Sequence, residues 1–514
     1  MIKLALMAFV CFNSFACSSN GTDNEGEGGN GNNTLVQPKY DRTSILHNPL
    51  NGWVMYAART AEPSYWDMEV YVSDLGKKVK VIDYASACYI RTSWSSLNPS
   101  DGVYAWRDPN TQIGRLIKGV QDRGLPIAFR IVVDGRDQGM NTPQFVFDAG
   151  AASYLENSNY PTRVTPIPQD PVFQQYYAKF IEALAEDFND PDRTSFIDAY
   201  GFGKWGEAHN VIYEDPNTSS GANTERLKEE VLDWVTDLYA RTFTKVPLVI
   251  NYHRLVGHPL SWGAANPNSD RLLVKAINKG YSLRSDAFGM NEYYGSWEKQ
   301  FAAAWNFKRP IIMEGGWIIS SHSYWNDPKG YRQGHPEDVR QGEFEASAEG
   351  HVNMMDFRAG SETTSWFENA YGLVQRFVSE GGYRVYPDQL YLPEKVKSGT
   401  EITINHRWRN VGWGYLPNNI PQWNYKYKVA FALLDAQDNV KKILLDTGSE
   451  PSNWLKEKPV SYNFKTNVDL PAGTYSWAVA IVDTSKGNQP GIELAVNGDA
   501  TSEGWVKLID VEVQ

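Results

Sequence analysis

Two glutamates stand out for their surroundings. Glu207 lies in Gly203-Lys204-Trp205-Gly206-Glu207-Ala208-His209, and Glu314 closes the apolar run Pro310-Ile311-Ile312-Met313 ahead of Gly315-Gly316-Trp317. Each follows a stretch with strand character, so both carboxyls can project from strand ends. Facing carboxyls are what cleavage of a glycosidic bond requires. One protonates the leaving oxygen while the other attacks the anomeric carbon, or activates water, from the opposite ring face. Apolar neighbours let desolvation move the pKa values of such groups. A single glutamate near a helix start has a plainer use as a helix-dipole partner; only the pair together points to glycosidic chemistry. Polar residues ending the other strand-like runs are candidates for binding the same substrate: Arg91 in YIRTSW, His209, Asn251 with His253 in INYH, Asn291 and Tyr293 in GMNEYY, and Trp317. Trp262, Trp297, Trp317 and Trp325 lie in or beside loops, where they either stack on sugar rings or simply pack.

Other chemistries find little support. The 8 histidines are scattered, with no HExxH or CxxC spacing, so neither a metal nor a cofactor is expected. No G-x-S-x-G elbow is present to carry a serine nucleophile. A formal net charge of −12 argues against nucleic acid as a partner, because phosphate neutralisation needs a basic surface.

The elements that must position these residues alternate. Strand-like runs are read at 52–56, 87–94, 126–133, 196–205, 247–253, 287–294, 310–314 and 351–357. Amphipathic helical stretches fall between most of them, at 110–123, 171–189, 223–242, 266–278, 296–305, 337–349 and 361–379. This pattern predicts an α/β fold, a (β/α)8 TIM barrel over 41–381, whose functional side chains belong at the C-terminal strand ends. A doubly wound sheet is the competing arrangement, weakened by the lack of a GxGxxG after an early strand. From about 382 to 514 the texture changes to strand runs separated by turn residues, which predicts a C-terminal antiparallel β-sandwich of Ig-like type.

The amino terminus reads as a signal peptide over 1–16, with Lys3 followed by a short apolar run. Phe15-Ala16-Cys17 looks like a bacterial lipobox, in which Cys17 is lipidated; a soluble signal cleaved near Ala16 is the alternative. Residues 17–40, rich in Gly, Asn and acids, read as a flexible linker. The expected location is therefore the bacterial outer membrane, at the cell surface or on the periplasmic face, with the membrane reached through the lipid anchor only. Of 3 cysteines, Cys11 goes with the signal and Cys17 carries lipid, which leaves Cys88 as a small core residue.

The arrangement of Arg91, Glu207 and Glu314 on strands two, four and seven resembles the large clan of retaining barrel glycoside hydrolases. The run from Trp94 to Trp106 is similar to the segment after strand two in its β-galactosidase-like members, although Asn98 stands where those have Glu. HNPLNGW, GKWGEAH, the stretch Arg284 to Gly289 and GGYRV more closely resemble a group of secreted bacterial barrel-plus-sandwich proteins. The resemblance implies Glu207 as acid/base, Glu314 as nucleophile, and a retaining double displacement on a β-linked poly- or oligosaccharide by a monomer. It also implies an Asn directly before the acid/base, where it would bind the sugar 2-hydroxyl. Gly206 occupies that position, so His209 or Asn210 takes the role or the chemistry differs. Two other functions compete: a non-catalytic glycan-binding lipoprotein on a barrel scaffold, and a barrel enzyme of another class such as a transglycosylase or lyase.

Overall fold

The computed structural model describes residues 33–514 apart from 58–60, 135–138, 156–158, 160–162, 216–217, 258–264, 267, 290–292 and 318–335, and apart from the side chains of 336–339. The leader, Cys17, Trp262, Asn291 and Trp325 lie outside the described residues.

Eight parallel strands close into a barrel: β1 (Gly52–Ala57), β2 (Ala85–Ser93), β3 (Ile127–Val132), β4 (Thr194–Asp198), β5 (Leu248–Asn251), β6 (Tyr281–Asp286), β7 (Ile311–Glu314) and β8 (Met354–Asp356). Helices α1 (Gln112–Gln121), α2 (Pro171–Phe188), α3 (Thr224–Thr242), α4 (Ser269–Asn278), α5 (Ser296–Trp305), α6 (Pro336–Glu349), α7 (Ser361–Glu368) and α8 (Tyr371–Glu380) surround it. Their starts are written locally. Thr111 accepts from the Gly114 amide to open α1, and Asp170 accepts from the Phe173 amide to open α2, with Pro171 at the first helical position. Along α2, Phe173, Tyr177, Phe180, Ile181, Leu184 and Phe188 are buried at helical spacing against the barrel.

Alternation along the strands sorts residues between two cores. Trp53, Met55, Cys88, Ile90, Phe129, Ile131, Ile197 and Ile250 face the helices. Val54, Tyr56, Tyr89, Ala128, Phe196, Val249, Ile312 and Met354 fill the barrel interior. Cys88 is fully buried, as a core residue should be.

Three strand and helix expectations are corrected. β4 stops at Asp198, and the predicted extension to Trp205 is instead a coiled segment rich in left-handed residues. The sixth strand is Tyr281–Asp286 rather than 287–294: Ala287 (φ 56°) and Gly289 (φ 82°) turn the chain out of the sheet. The predicted helix 361–379 is two helices, because α7 ends at Glu368 and Ala370 (ψ 31°, φ −138°) lies outside helical space.

The second domain is a sandwich of two sheets built from β9 (Val385–Pro393), β10 (Glu401–Asn410), β11 (Tyr427–Leu434), β12 (Val440–Asp446), β13 (Val460–Asn467), β14 (Gly473–Asp483) and β15 (Val506–Val513). One sheet runs β9-β10-β13 and the other β15-β14-β11-β12, all antiparallel. The linker reading is corrected at its distal end. Asn33–Val36 pairs with β9, from Asn33 opposite Pro393 to Val36 opposite Leu390, and Lys39–Tyr40 pairs with Val496–Asn497.

The sandwich covers the N-terminal end of the barrel. His47 bonds the Ala85 carbonyl at the start of β2, Gln422 donates to Gly280 just before β6, and Asn353, just before β8, donates to both Leu50 and Tyr415. The buried Arg384 guanidinium donates to the carbonyls of Asp41, Ser44 and Val378. Asn48 and Glu493 exchange two hydrogen bonds, and Asn51 accepts from the Tyr383 amide. HNPLNGW and GGYRV are thus the two sides of one domain junction.

Candidate active site

The opposite, C-terminal end of the barrel carries a charged layer. Parallel register puts Arg91 beside Arg130, Arg130 beside Asp198, Asn251 beside Arg284, and Asp286 beside Glu314. These residues share the inward phase of the apolar rows beneath them, so alternation that packs the lower barrel delivers charge to its top.

Glu207 reaches this layer from the segment after β4. Gly201, Gly203, Trp205, Gly206, Ala208 and Asn210 all have positive φ, at 79°, 84°, 59°, 77°, 63° and 57°. The coil is pinned by bonds from the Lys204 amide to the His209 carbonyl (2.9 Å) and from the Ala208 amide to the Phe202 carbonyl (3.1 Å). A Cβ on Gly203 would overlap the His209 carbonyl, and one on Gly206 would lie 3.2 Å from Arg130 Cδ. The glycine before Glu207 therefore has a physical reason: its backbone is left-handed and Arg130 occupies the side-chain space. His209, one of the two residues considered for the role of that Asn, has Nε2 3.3 Å from Glu207 Oε2.

Glu314 ends β7 and is fully buried. Its Oε2 lies 2.6 Å from Arg130 Nη2, off the hydrogen-bond line, and 3.1 Å from Arg284 Nη2, while Arg358 Nη1 holds Oε1. Burial alone would raise its pKa, but Arg130, Arg358, Arg284 and Arg91 override this and hold it well below the usual carboxylate range. Glu207 shifts the other way. Burial raises its pKa, opposed by a hydrogen bond from Asp286 and the charge of Arg130 at 3.3 Å. Burial also raises Asp286 well above its ordinary value, helped by the negative charges of Glu207 and Glu314. One oxygen from each of Glu207, Asp286 and Glu314 lies within 4.8 Å of the others. Carboxyl oxygens this close leave little room for an intervening water, which takes a separation of roughly 6.5–9.5 Å.

Three carboxylates at this spacing also suit a divalent cation. Here the positive charge is already supplied: three guanidiniums lie on Glu314, and Arg358 lies 4.0 Å from Asp286. A cation would face like charge on that side, so the donor set does not fit one.

The remaining sequence candidates fall as follows. Arg91 makes an ion pair with Glu207 at 3.9 Å and adds to the ionisation of Glu314 by charge. Tyr293 follows β6 and joins Trp205, His209 and His253 in a ring cluster with centroids 5.3–6.3 Å apart. Burial, with His209 and Arg254 nearby, lowers the His253 pKa well below its ordinary value, so this ring is neutral. Asn251 is 1% exposed, and both its amide atoms lack a hydrogen-bond partner, a deficit that a bound polar ligand or water would fill. Trp317 is 36% exposed and its ring lies 5.0 Å from the Arg358 guanidinium, which also lies 4.9 Å from the Tyr56 ring. Trp297 is a packing residue, stacked on Phe301 within α5.

Sequence reasoning missed Tyr56, Arg130, Asp198, Asp286, Asp356 and Arg358 as parts of this layer, and it used Arg284 only as a motif residue. Asp198 Oδ2 accepts from Arg130 Nε at 2.7 Å, and Asp356 Oδ1 holds the Gly315 and Arg358 amides at 3.1 and 3.0 Å. The available signal was a charge inside an otherwise apolar run, as in IAFRIV and SFIDAY.

Among solved structures, the chain is similar to endo-glycoceramidase II from Rhodococcus sp., at 12% identity and a TM-score of 0.37 over 84% of this chain and 100% of that one. It is also similar to an endoglucanase from Pseudomonas stutzeri, at 10% identity and a TM-score of 0.34 over 66% and 97% of the two chains. Xylanase 10B from Thermotoga maritima likewise aligns at 10% identity and a TM-score of 0.34, over 64% and 95%. No protein-family model matches the chain, and no curated protein matches it at a significant score.

Proposed function

We propose that the protein hydrolyses a β-linked poly- or oligosaccharide by a retaining double displacement. One observation carries this reading: the Glu207 and Glu314 carboxyls come within 4.8 Å at the barrel mouth, and their pKa values are driven in opposite directions. Glu314, ionised, attacks the anomeric carbon as Glu207 protonates the departing oxygen. Water then releases the sugar from Glu314 with Glu207 as base. Asn251, His209, Tyr293 and Trp317 offer polar and aromatic contacts to the sugar, and Asn291 is proposed beside them from sequence alone.

Glu314→Ala is expected to abolish turnover. Glu207→Ala should lose about 100-fold or more on the natural glycan yet spare substrates whose leaving group departs unprotonated. A screen of plant, algal and microbial glycans, followed by these two variants on the first substrate found, tests the assignment. Full activity in both variants would refute it. The triple guanidinium clasp on Glu314 favours the second reading, a non-catalytic glycan-binding protein, because a carboxylate so neutralised is a weaker nucleophile. Glycan affinity without any product release would select that reading.

We also propose that Cys17 carries lipid and holds the protein at the outer membrane. A Cys17→Ser chain should move from the membrane to the soluble fraction on cell fractionation, and an unchanged distribution would rule out the anchor.

A further inference from the structure

Asp286 has no role in the two-glutamate scheme, yet it is the third carboxyl of the cluster. Register on adjacent strands sets it level with Glu314, and one of its oxygens lies within 4.8 Å of both a Glu207 and a Glu314 oxygen. The three acids are unequally served by cations. Glu314 has Arg130, Arg284 and Arg358. Glu207 has Arg130 at 3.3 Å and Arg91 at 3.9 Å, and its other oxygen is hydrogen-bonded to the His209 ring at 3.3 Å. Among the described residues, Asp286 has only Arg358 at 4.0 Å, and its Oδ1 lacks a hydrogen-bond partner although the residue is 6% exposed. Three negative charges this close repel one another in a buried site, and the least compensated acid is the one to keep a proton.

We propose, building on the retaining reading above, that Asp286 stores the proton used by Glu207 and acts through it. At rest Asp286 is protonated and donates to an ionised Glu207. As the bond from the anomeric carbon to the leaving oxygen breaks and the bond from Glu314 forms, one proton passes from Asp286 to Glu207 and from Glu207 to that oxygen. In the second half, water bonds to the anomeric carbon and the ester to Glu314 breaks. The proton lost by the water returns to Glu207 and then to Asp286, so the cycle closes with no external acid. The burial-driven rise at Asp286 agrees with its holding the proton. The relay keeps an acid available at pH values where Glu207 alone would have ionised.

The first test needs no substrate. Infrared spectra at about pH 8.5 lie above the ionisation of Asp356, near 6, and of Glu343, near 7. There the wild type should show a protonated-carboxyl band that Asp286→Asn removes, whereas Glu207→Gln, which takes away a neighbouring negative charge, keeps the band but shifts its loss to lower pH. Absence of the band from the wild type, or its survival in Asp286→Asn, would overturn the relay. The second test uses dinitrophenyl and phenyl β-glycosides of the common hexoses and xylose. With the phenyl series, Asp286→Asn should move the basic limb of the kcat/KM profile to lower pH and cost about 100-fold at pH 8. With the dinitrophenyl series, whose leaving group needs no proton, it should cost little. Asp286→Ser, which leaves room for water, gives the same readouts should the Asn variant fold poorly. If Asp286→Asn matches the wild type while Glu207→Gln and Glu314→Gln are impaired, the relay falls and the retaining reading stands. If Glu314→Gln turns over normally, the retaining reading itself falls.

Discussion

Glu343 shows how far the electrostatics of this protein extend beyond the two glutamates. It projects from α6, pairs with the buried Arg340, and accepts from the Gly316 amide at 3.3 Å, which steadies the turn directly after Glu314. Burial pushes its pKa up to about 7, against the charge of Arg340 and helped by the negative charge of Glu362. Raised in the folded state, this carboxyl holds a proton that the unfolded chain has released. Its stabilising contribution is complete below about pH 4.5, declines as pH rises, and is spent above about 7. Over that window the wild type should lose on the order of 3 kcal/mol relative to Glu343→Gln, which has no proton to release. Denaturant unfolding of both chains between pH 4.5 and 7.5 checks this, and a constant difference across the series would refute it. Residues of this kind were hard to see in the sequence. Glu207 and Glu314 were legible because each stood next to glycine and tryptophan after an apolar run. Arg130 and Asp198 were not, because single charges within apolar strands look like surface positions until barrel closure turns them inward.

The segment joining β4 to Glu207 is an element in its own right, although it has little regular structure. Left-handed residues usually cost free energy when they are not glycine, and here Trp205, Ala208 and Asn210 adopt that conformation together. The cost is offset by the backbone bonds that knot 202–209 and by the bridge from His209 to Val256. Gly206→Asn would introduce the residue that the resemblance to the hydrolase clan implies, yet it should harm this protein. The new side chain must adopt φ near 77° and meet Arg130 at 3.2 Å. We expect a loss of about 1–3 kcal/mol and a fall in any glycosidase activity; a variant as stable and active as the wild type would contradict the packing described for Arg130. Helices α1 to α5 were readable to within a few residues, since their caps and apolar spacing are local. β6 was displaced because its inward row is Ser282, Arg284 and Asp286, polar residues that mimic a loop, while the apolar 287–294 mimics a strand. The local pattern could not reveal that this barrel is charged at the top.

At the scale of the whole molecule, the sandwich is a floor for the barrel and lies at the end away from the charged mouth. Val54, Ile312 and Met354 of the barrel belong to the same apolar cluster as Leu416 and Trp423 beyond β10. A chain ending at residue 381 would expose that surface and lose Arg384, with its three carbonyl partners at Asp41, Ser44 and Val378. Residues 41–381 expressed alone should aggregate or melt well below the full chain, as thermal unfolding followed by circular dichroism would report; an isolated barrel with the parent melting temperature would show the two domains to be energetically independent. The change of texture near residue 382 was visible in the sequence, but the interlocking was not, because it depends on contacts between residues more than 300 positions apart, such as Arg384 with Ser44. The pairing of Asn33–Val36 with β9 has a mechanical meaning. A pull on the chain ahead of Asn33 enters the molecule at the edge of the sandwich. The rung between Asn33 and Pro393 meets the load first, then the rungs up to Val36 and Leu390, then the short pairing of Lys39–Tyr40 with Val496–Asn497. Only after these have opened does tension reach Asp41 and the Arg384 clamp. A load applied ahead of Asn33 would thus open these short pairings before it strained the barrel mouth.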